Sequence, residues 1–162
     1  MKSLFLALLL LTPGLIQAGE FPRADLVIIE KAKRELHLLQ GGQIVKTFRI
    51  ALGIVPVGDK QKEGDFKTPE GRYLLDRKNP NSDFFLSIHV SYPDARDRRE
   101  AAVQGVDPGG AIMIHGQPNV PTRSEAYYRT QDWTNGCIAV SNSDMIDIWL
   151  MTGENTPIEI RP

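Results

Sequence analysis

Alternation of apolar and polar positions predicts strand over most of the chain. Leu26-Val27-Ile28-Ile29 is a short, largely β-branched run, the composition that suits a pleated surface. A second run, Glu35 to Gln40, alternates at Leu36 and Leu38, and Gly41-Gly42 separates it from Ile44 to Ile50. Two such runs around a Gly-Gly pair predict a hairpin, because both glycines tolerate positive φ. His37 alternates with Leu36 and Leu38 and is expected to be exposed. Further strands are expected at Tyr73 to Leu75, Phe85 to Val90, Ala111 to Ile114, Cys137 to Val140 and Pro157 to Ile160. Residues 52–72 carry too many glycines and prolines for an element, and Thr68-Pro69-Glu70-Gly71 fits a type I turn.

Helical signals are fewer. Ser141-Asn142-Ser143-Asp144 matches the pattern of a capping serine followed three positions later by an acid. It predicts a helix through Met151 with Met145, Ile148 and Trp149 on one apolar stripe and Gly153 past its end, placing Trp149 in the core. Residues 91–110 read as a polar excursion with one helical turn near Asp97–Val103. Residues 116–133 read as a long loop with a helical stretch near Ser124–Tyr128. The expected fold is mainly β with minor α in a single domain, without repeats or linkers.

The first residues carry a different signal. Lys2 followed by the apolar run Leu4 to Leu11, with Ala18 ahead of Gly19, has the layout of an export leader at residues 1–18, too short for a membrane span. Its removal leaves 162 − 18 = 144 residues, enough for one core. Lys2 is the one charge lost, so the net charge becomes 18 − 20 = −2. That balance argues against nucleic acid, which requires a concentrated basic surface. The expected product is a monomer of the cell envelope, without stable membrane insertion.

Against that background the single cysteine, Cys137, stands out. A lone thiol sent to an oxidising compartment has no partner within the chain for a structural disulfide. It is either a buried apolar cysteine or a nucleophile. A thiol nucleophile requires a base and amide donors for the oxyanion. Gly136 before the cysteine allows close approach of a substrate carbonyl, and His115, twenty-two positions upstream, ends a predicted strand. Activation by that histidine would place the thiol pKa below its ordinary value of about 8.5. His89 is expected to be a packed or surface residue. Three histidines and one cysteine contain no close ligand pair, so no metal is expected.

His115-Gly116 followed, after a long gap, by Thr134-Asn135-Gly136-Cys137 resembles the signature of the L,D-transpeptidase catalytic domain (the YkuD family). The segment from Gly53 through Lys60 to Gly71, and Asn79-Pro80, resemble the same family's glycine- and proline-rich stretch, so the likeness spans nearly all of the chain after the leader. The resemblance implies a β-sandwich-like mixed sheet and no cofactor. It implies a peptidoglycan stem peptide as substrate, attacked by Cys137 with His115 as base. Gly116 would orient the histidine through its carbonyl, and the Gly136 and Cys137 amides would hold the oxyanion. Thr134, Asn135 and Trp133 would contact the substrate, with Tyr128 and Arg129 as further contacts. Asn135 stands where the family has a histidine, and Ala139 where it has an arginine. Those two departures leave open a hydrolase of the same fold, an L,D-carboxypeptidase or amidase, and an inactive wall-binding module.

Overall fold

A computed structural model describes residues 22–162 of the chain. The expected leader, and the cut before Gly19, lie outside the described residues. Eight strands form one mixed sheet: β1 (Leu26–Glu30), β2 (Glu35–Gln40), β3 (Gln43–Arg49), β4 (Gly71–Ser82), β5 (Phe85–Val90), β6 (Met113–His115), β7 (Ile138–Ala139) and β8 (Thr156–Arg161). Their spatial order is β3-β2-β1-β8-β4-β5-β6-β7. The predicted hairpin is β2–β3, with Gly41 and Gly42 at φ 58° and 78°. Two pairings are parallel, β1 with β8 and β6 with β7; the others are antiparallel.

The sheet curls until its ends meet. Ala51, just past β3, exchanges both backbone hydrogen bonds with Ala139 of β7 at 2.8 Å. Gly53 bridges Thr134 two residues further on. These two bridges satisfy backbone groups where the ends come together, while β3 itself pairs only with β2 among the described strands. The curl encloses a core of strand residues such as Val27, Ile29, Leu38, Leu75, Ile88, Ile114, Ile138 and Ile158. Three helices pack outside: α1 (Ala95–Gln104), α2 (Glu125–Thr130) and α3 (Asn142–Met151).

Several elements depart from the sequence reading. The excursion at 91–110 holds a ten-residue helix rather than one turn. Asp94 caps it and the Asp97 carboxylate accepts from the Asp94 amide, a capping box built from two aspartates. Strand β4 runs on past Leu75 to Ser82 through Asn79 and Pro80, accommodated by register shifts against β5. Trp149 flanks the core instead of entering it, and Lys78 sits 4.9 Å from its ring centroid; Met151 takes the buried position with Met145 and Ile148. His37 is buried rather than exposed, because β2 lies between β1 and β3 and is covered on both faces. Its Nδ1 lies 2.9 Å from Thr47 Oγ1.

The loop between β3 and β4 has no secondary structure of its own to hold it. Lys31 does this instead. Its buried ammonium donates to Gly58 O at 2.7 Å, Thr68 O at 2.9 Å and Glu70 Oε1 at 2.7 Å. All three ammonium donors are used, which offsets the cost of burying the charge. The loop so fixed forms one wall of the site.

Candidate active site

The cysteine loop is anchored from the far side of the sheet. Asp132 accepts from Arg34 Nε at 3.1 Å to each oxygen, from Arg34 Nη2 at 2.7 Å and from the Leu52 amide at 2.9 Å. Paired guanidinium–carboxylate bonds of this kind set orientation as well as distance. Next, Thr134 folds the turn back on itself. Its hydroxyl donates to Cys137 O at 2.7 Å and accepts from the Gly136 amide at 3.1 Å. Gly136 sits at φ 125°, and a Cβ there would lie 2.6 Å from Lys67 O. Only glycine fits this turn.

The Gly136 amide, expected to face the oxyanion, donates to Thr134 within the turn. The Cys137 amide has no acceptor among the described residues and remains available.

His115 arrives at the end of β6, directly opposite Ser87 of β5. Its Nδ1 is 2.7 Å from Gly116 O. A carbonyl can only accept, so Nδ1 carries the proton and Nε2 presents a lone pair. The ring is packed between Phe84, 4.6 Å between centroids, and Trp133, 5.5 Å and edge-on. Burial in this apolar setting pushes its pKa down to about 4, against a smaller upward pull from the Gly116 carbonyl.

The Cys137 thiol points to Ala111 O at 3.5 Å. Burial raises its pKa; a hydrogen bond from the Met113 backbone and the charge of Lys60 pull the other way without reversing the shift. This corrects the expectation of a thiol below the ordinary range. With the histidine shifted down and the cysteine up, both shifts favour neutral imidazole and neutral thiol at rest.

Both side chains line one cleft of about 780 Å³. Trp133, Thr134 and Asn135 line it too, as the motif implies. Tyr128 and Arg129 do not. They border a separate small cavity with Ala139 and Asp144, because α2 packs on the outer side of the Trp133 ring. Tyr128 instead holds its own loop: its hydroxyl accepts from the Thr122 amide at 3.0 Å and the Arg123 amide at 3.2 Å. Ala139 is likewise buried outside the cleft, so an arginine missing there leaves the cleft wall intact. His89 lies off the cleft and pairs with Asp76 at 2.7 Å. Sequence reasoning missed Phe84, Ser87 and Lys60 as lining residues. The Phe84 ring reaches His115 from the β4–β5 turn, and no local pattern in the chain points to that contact.

The chain matches the L,D-transpeptidase catalytic domain over residues 24–160. It belongs to that family. The protein YafK of Escherichia coli (strain K12) is 33% identical over 91 residues, covering 54% of this chain and 35% of that protein. Among solved structures, the helical cell shape determining protein Pgp2 of Campylobacter jejuni superposes with TM-score 0.64 at 30% identity, covering 84% of this chain and 46% of that one. Bd1075 of Bdellovibrio bacteriovorus gives 0.59 at 25%, covering 87% and 48%. The L,D-transpeptidase of Mycobacterium smegmatis gives 0.56 at 13%, covering 85% and 58%, which shows the shared fold. The chain thus spans about a third to a half of the length of YafK and Pgp2. The family acts on peptidoglycan stem peptides in the cell envelope. No described helix is long and apolar enough to cross a membrane.

Proposed function

We propose that this protein is an exported cysteine acyltransferase that cleaves an L,D-peptide bond in a peptidoglycan stem and passes the acyl group through a Cys137 thioester to an amine. The observation that carries this reading is the tautomer of His115. With Nδ1–H held by the Gly116 carbonyl, Nε2 is a free base in the same cleft as the thiol. Sγ attacks the scissile carbonyl while its proton moves to Nε2, and the oxyanion forms against the Cys137 amide. The tetrahedral intermediate expels the amine, which takes the proton from Nε2. An acceptor amine then loses its proton to Nε2 and attacks the thioester, releasing the thiol. Phe84 and Trp133 keep the imidazole dry, so a neutral base is available near neutral pH.

With water as acceptor in place of an amine, the same mechanism gives a hydrolase. Incubation with defined muropeptides, followed by mass spectrometry, separates cross-linked from trimmed products. Cys137→Ala should abolish both. His115→Gln should cut acylation by about a hundred- to ten-thousand-fold, whereas His89→Gln should not. Full activity in Cys137→Ala would overturn the reading, and labelling of Cys137 by a carbapenem would exclude a decayed site. Recovery of the protein with Met1 retained in an exported form would contradict cleavage near Gly19.

A further inference from the structure

Lys60 is the cation lining the cleft, and the mechanism does not use it. It sits on the loop between β3 and β4, buried, with its ammonium 2.8 Å from Asp65 Oδ1 and 2.9 Å from Lys62 O. Asp65 does not line the cleft, whereas Lys60 does. The carboxylate lies behind the ammonium and is turned to its own loop, where it accepts from the Gln61 amide at 2.8 Å, the Lys62 amide at 3.1 Å and the Lys67 amide at 3.1 Å. Those three amides would satisfy Asp65 without a lysine. An ammonium has three donors, and only two of the Lys60 donors have partners among the described residues. A positive charge is thus held rigidly at the cleft wall with one donor to spare. It is close enough to Cys137 for its field to act on the thiol. The other charged lining residues, Glu63 and Asp83, are acids. Lys60 is the lining side chain whose charge attracts a carboxylate.

We propose that Lys60 determines donor specificity by binding a substrate carboxylate next to the scissile bond. This rests on the stem-peptide reading above. Two carboxylates of a stem tetrapeptide fit: the terminal one on the D-residue being released, and the side-chain one on the diamino acid that acylates Cys137. The shared chemistry is a carboxylate on a charged hydrogen-bond donor, which is stronger than a neutral pair and specific in position.

The test uses the full chain with Cys137→Ala, which binds but does not turn over, and three synthetic peptides. These are L-Ala-γ-D-Glu-meso-diaminopimelyl-D-Ala, its C-terminal amide, and its diaminopimelyl side-chain amide. Calorimetry should show one amide binding about 10- to 100-fold more weakly than the free acid, and which amide it is names the carboxylate. Adding Lys60→Met, which keeps the apolar stem, should weaken the free acid by a similar factor and abolish the discrimination, since the two perturbations remove one interaction. Equal binding of all three peptides, undiminished discrimination in Lys60→Met, or no binding of any peptide would overturn the proposal. The peptide arms on the Lys60 protein stand even if the lysine variant fails to fold. Turnover of the free acid by the Cys137 protein is measured in parallel. Discriminating binding without turnover would sink the acyltransfer reading and leave the carboxylate anchor in place.

Discussion

His115→Gln should flatten the acid side of the protein's stability curve. In the native state burial holds the imidazole near a pKa of about 4, while in the unfolded chain it titrates near 6.5. Above about pH 6.5 neither state binds the proton, and the group contributes nothing. As pH falls from about 6.5 to about 4 the unfolded state takes up a proton that the native state refuses, so the native state loses stability. A difference of about 2.5 pKa units at 1.36 kcal/mol each amounts to about 3 kcal/mol. That is a large share of the 5–15 kcal/mol typical of a whole domain. Glutamine does not titrate, so the loss should vanish in the variant. The assay is urea unfolding of parent and variant at pH 7, 5.5 and 4, followed by tryptophan fluorescence. Subtracting the two curves cancels the carboxylates common to both. The gap in unfolding free energy should change by about 3 kcal/mol between pH 7 and pH 4, with the parent losing more. Parallel curves would refute the reasoning. The native imidazole would then titrate near its ordinary value; a gap that changes in the opposite direction would instead place a thiolate–imidazolium pair in the resting site.

Three further outcomes follow from the same geometry. The rate of Cys137 alkylation by iodoacetamide should titrate above the ordinary cysteine value of about 8.5, since burial raises the thiol; a midpoint below that value would contradict the neutral pair. Arg34→Ala should lower stability by about 1–3 kcal/mol and activity more than tenfold, because it leaves Asp132 without its guanidinium and loosens the cysteine loop; chemical denaturation and turnover measured together check this, and an unchanged variant would show that the anchor is ornamental. Asn135→His should leave activity within roughly tenfold, about 1.4 kcal/mol on the barrier, because Asn135 is exposed at the cleft and neither holds the histidine ring nor caps the turn; a gain of several orders of magnitude in thioester formation would mean that the natural residue disables the site.

Local pattern carried the strands and the paired motif residues, because period-two alternation and a Gly-Cys turn are written in adjacent positions. The β2–β3 hairpin and the Ser141-capped helix α3 both form where their local signals place them. What escaped depends on partners distant in the chain. The burial of His37 follows from β2 being flanked on both sides, which neighbouring residues do not encode. The continuation of β4 through Pro80 depends on pairing with β5. At the site, the meeting of His115 and Cys137 in one cleft was legible, and the electrostatics were not. The sign of the thiol shift is decided by desolvation in a cleft whose walls come from several elements. Tyr128 and Arg129 are near the motif in sequence yet on the other side of Trp133 in space. Lys60, far away in sequence, lines the cleft.

For a protein exported as proposed, a neutral resting pair resolves the tension that a lone cysteine poses in an oxidising compartment. Oxidants and disulfides react with thiolate, not thiol. Raising the thiol by burial and lowering the imidazole by the same means keep the thiolate scarce until a carbonyl is in place. In the proposed acyl transfer, attack then moves the proton to Nε2 as the new bond forms, and the charge that develops is on the carbonyl oxygen, opposite the Cys137 amide. The energy to order this step comes from binding rather than from a preformed ion pair, so recognition at a distance from the scissile bond should appear in the acylation rate as well as in affinity. A fixed ammonium at Lys60, held by a loop that Lys31 pins to the sheet, is a place from which such binding energy can act. Reactivity of Cys137 towards a small alkylating agent should therefore stay low, while acylation by a peptide carrying the matching carboxylate is fast. The ratio of those two rates should collapse in Lys60→Met. Equal suppression of both rates would instead assign the lysine to the thiol's own field.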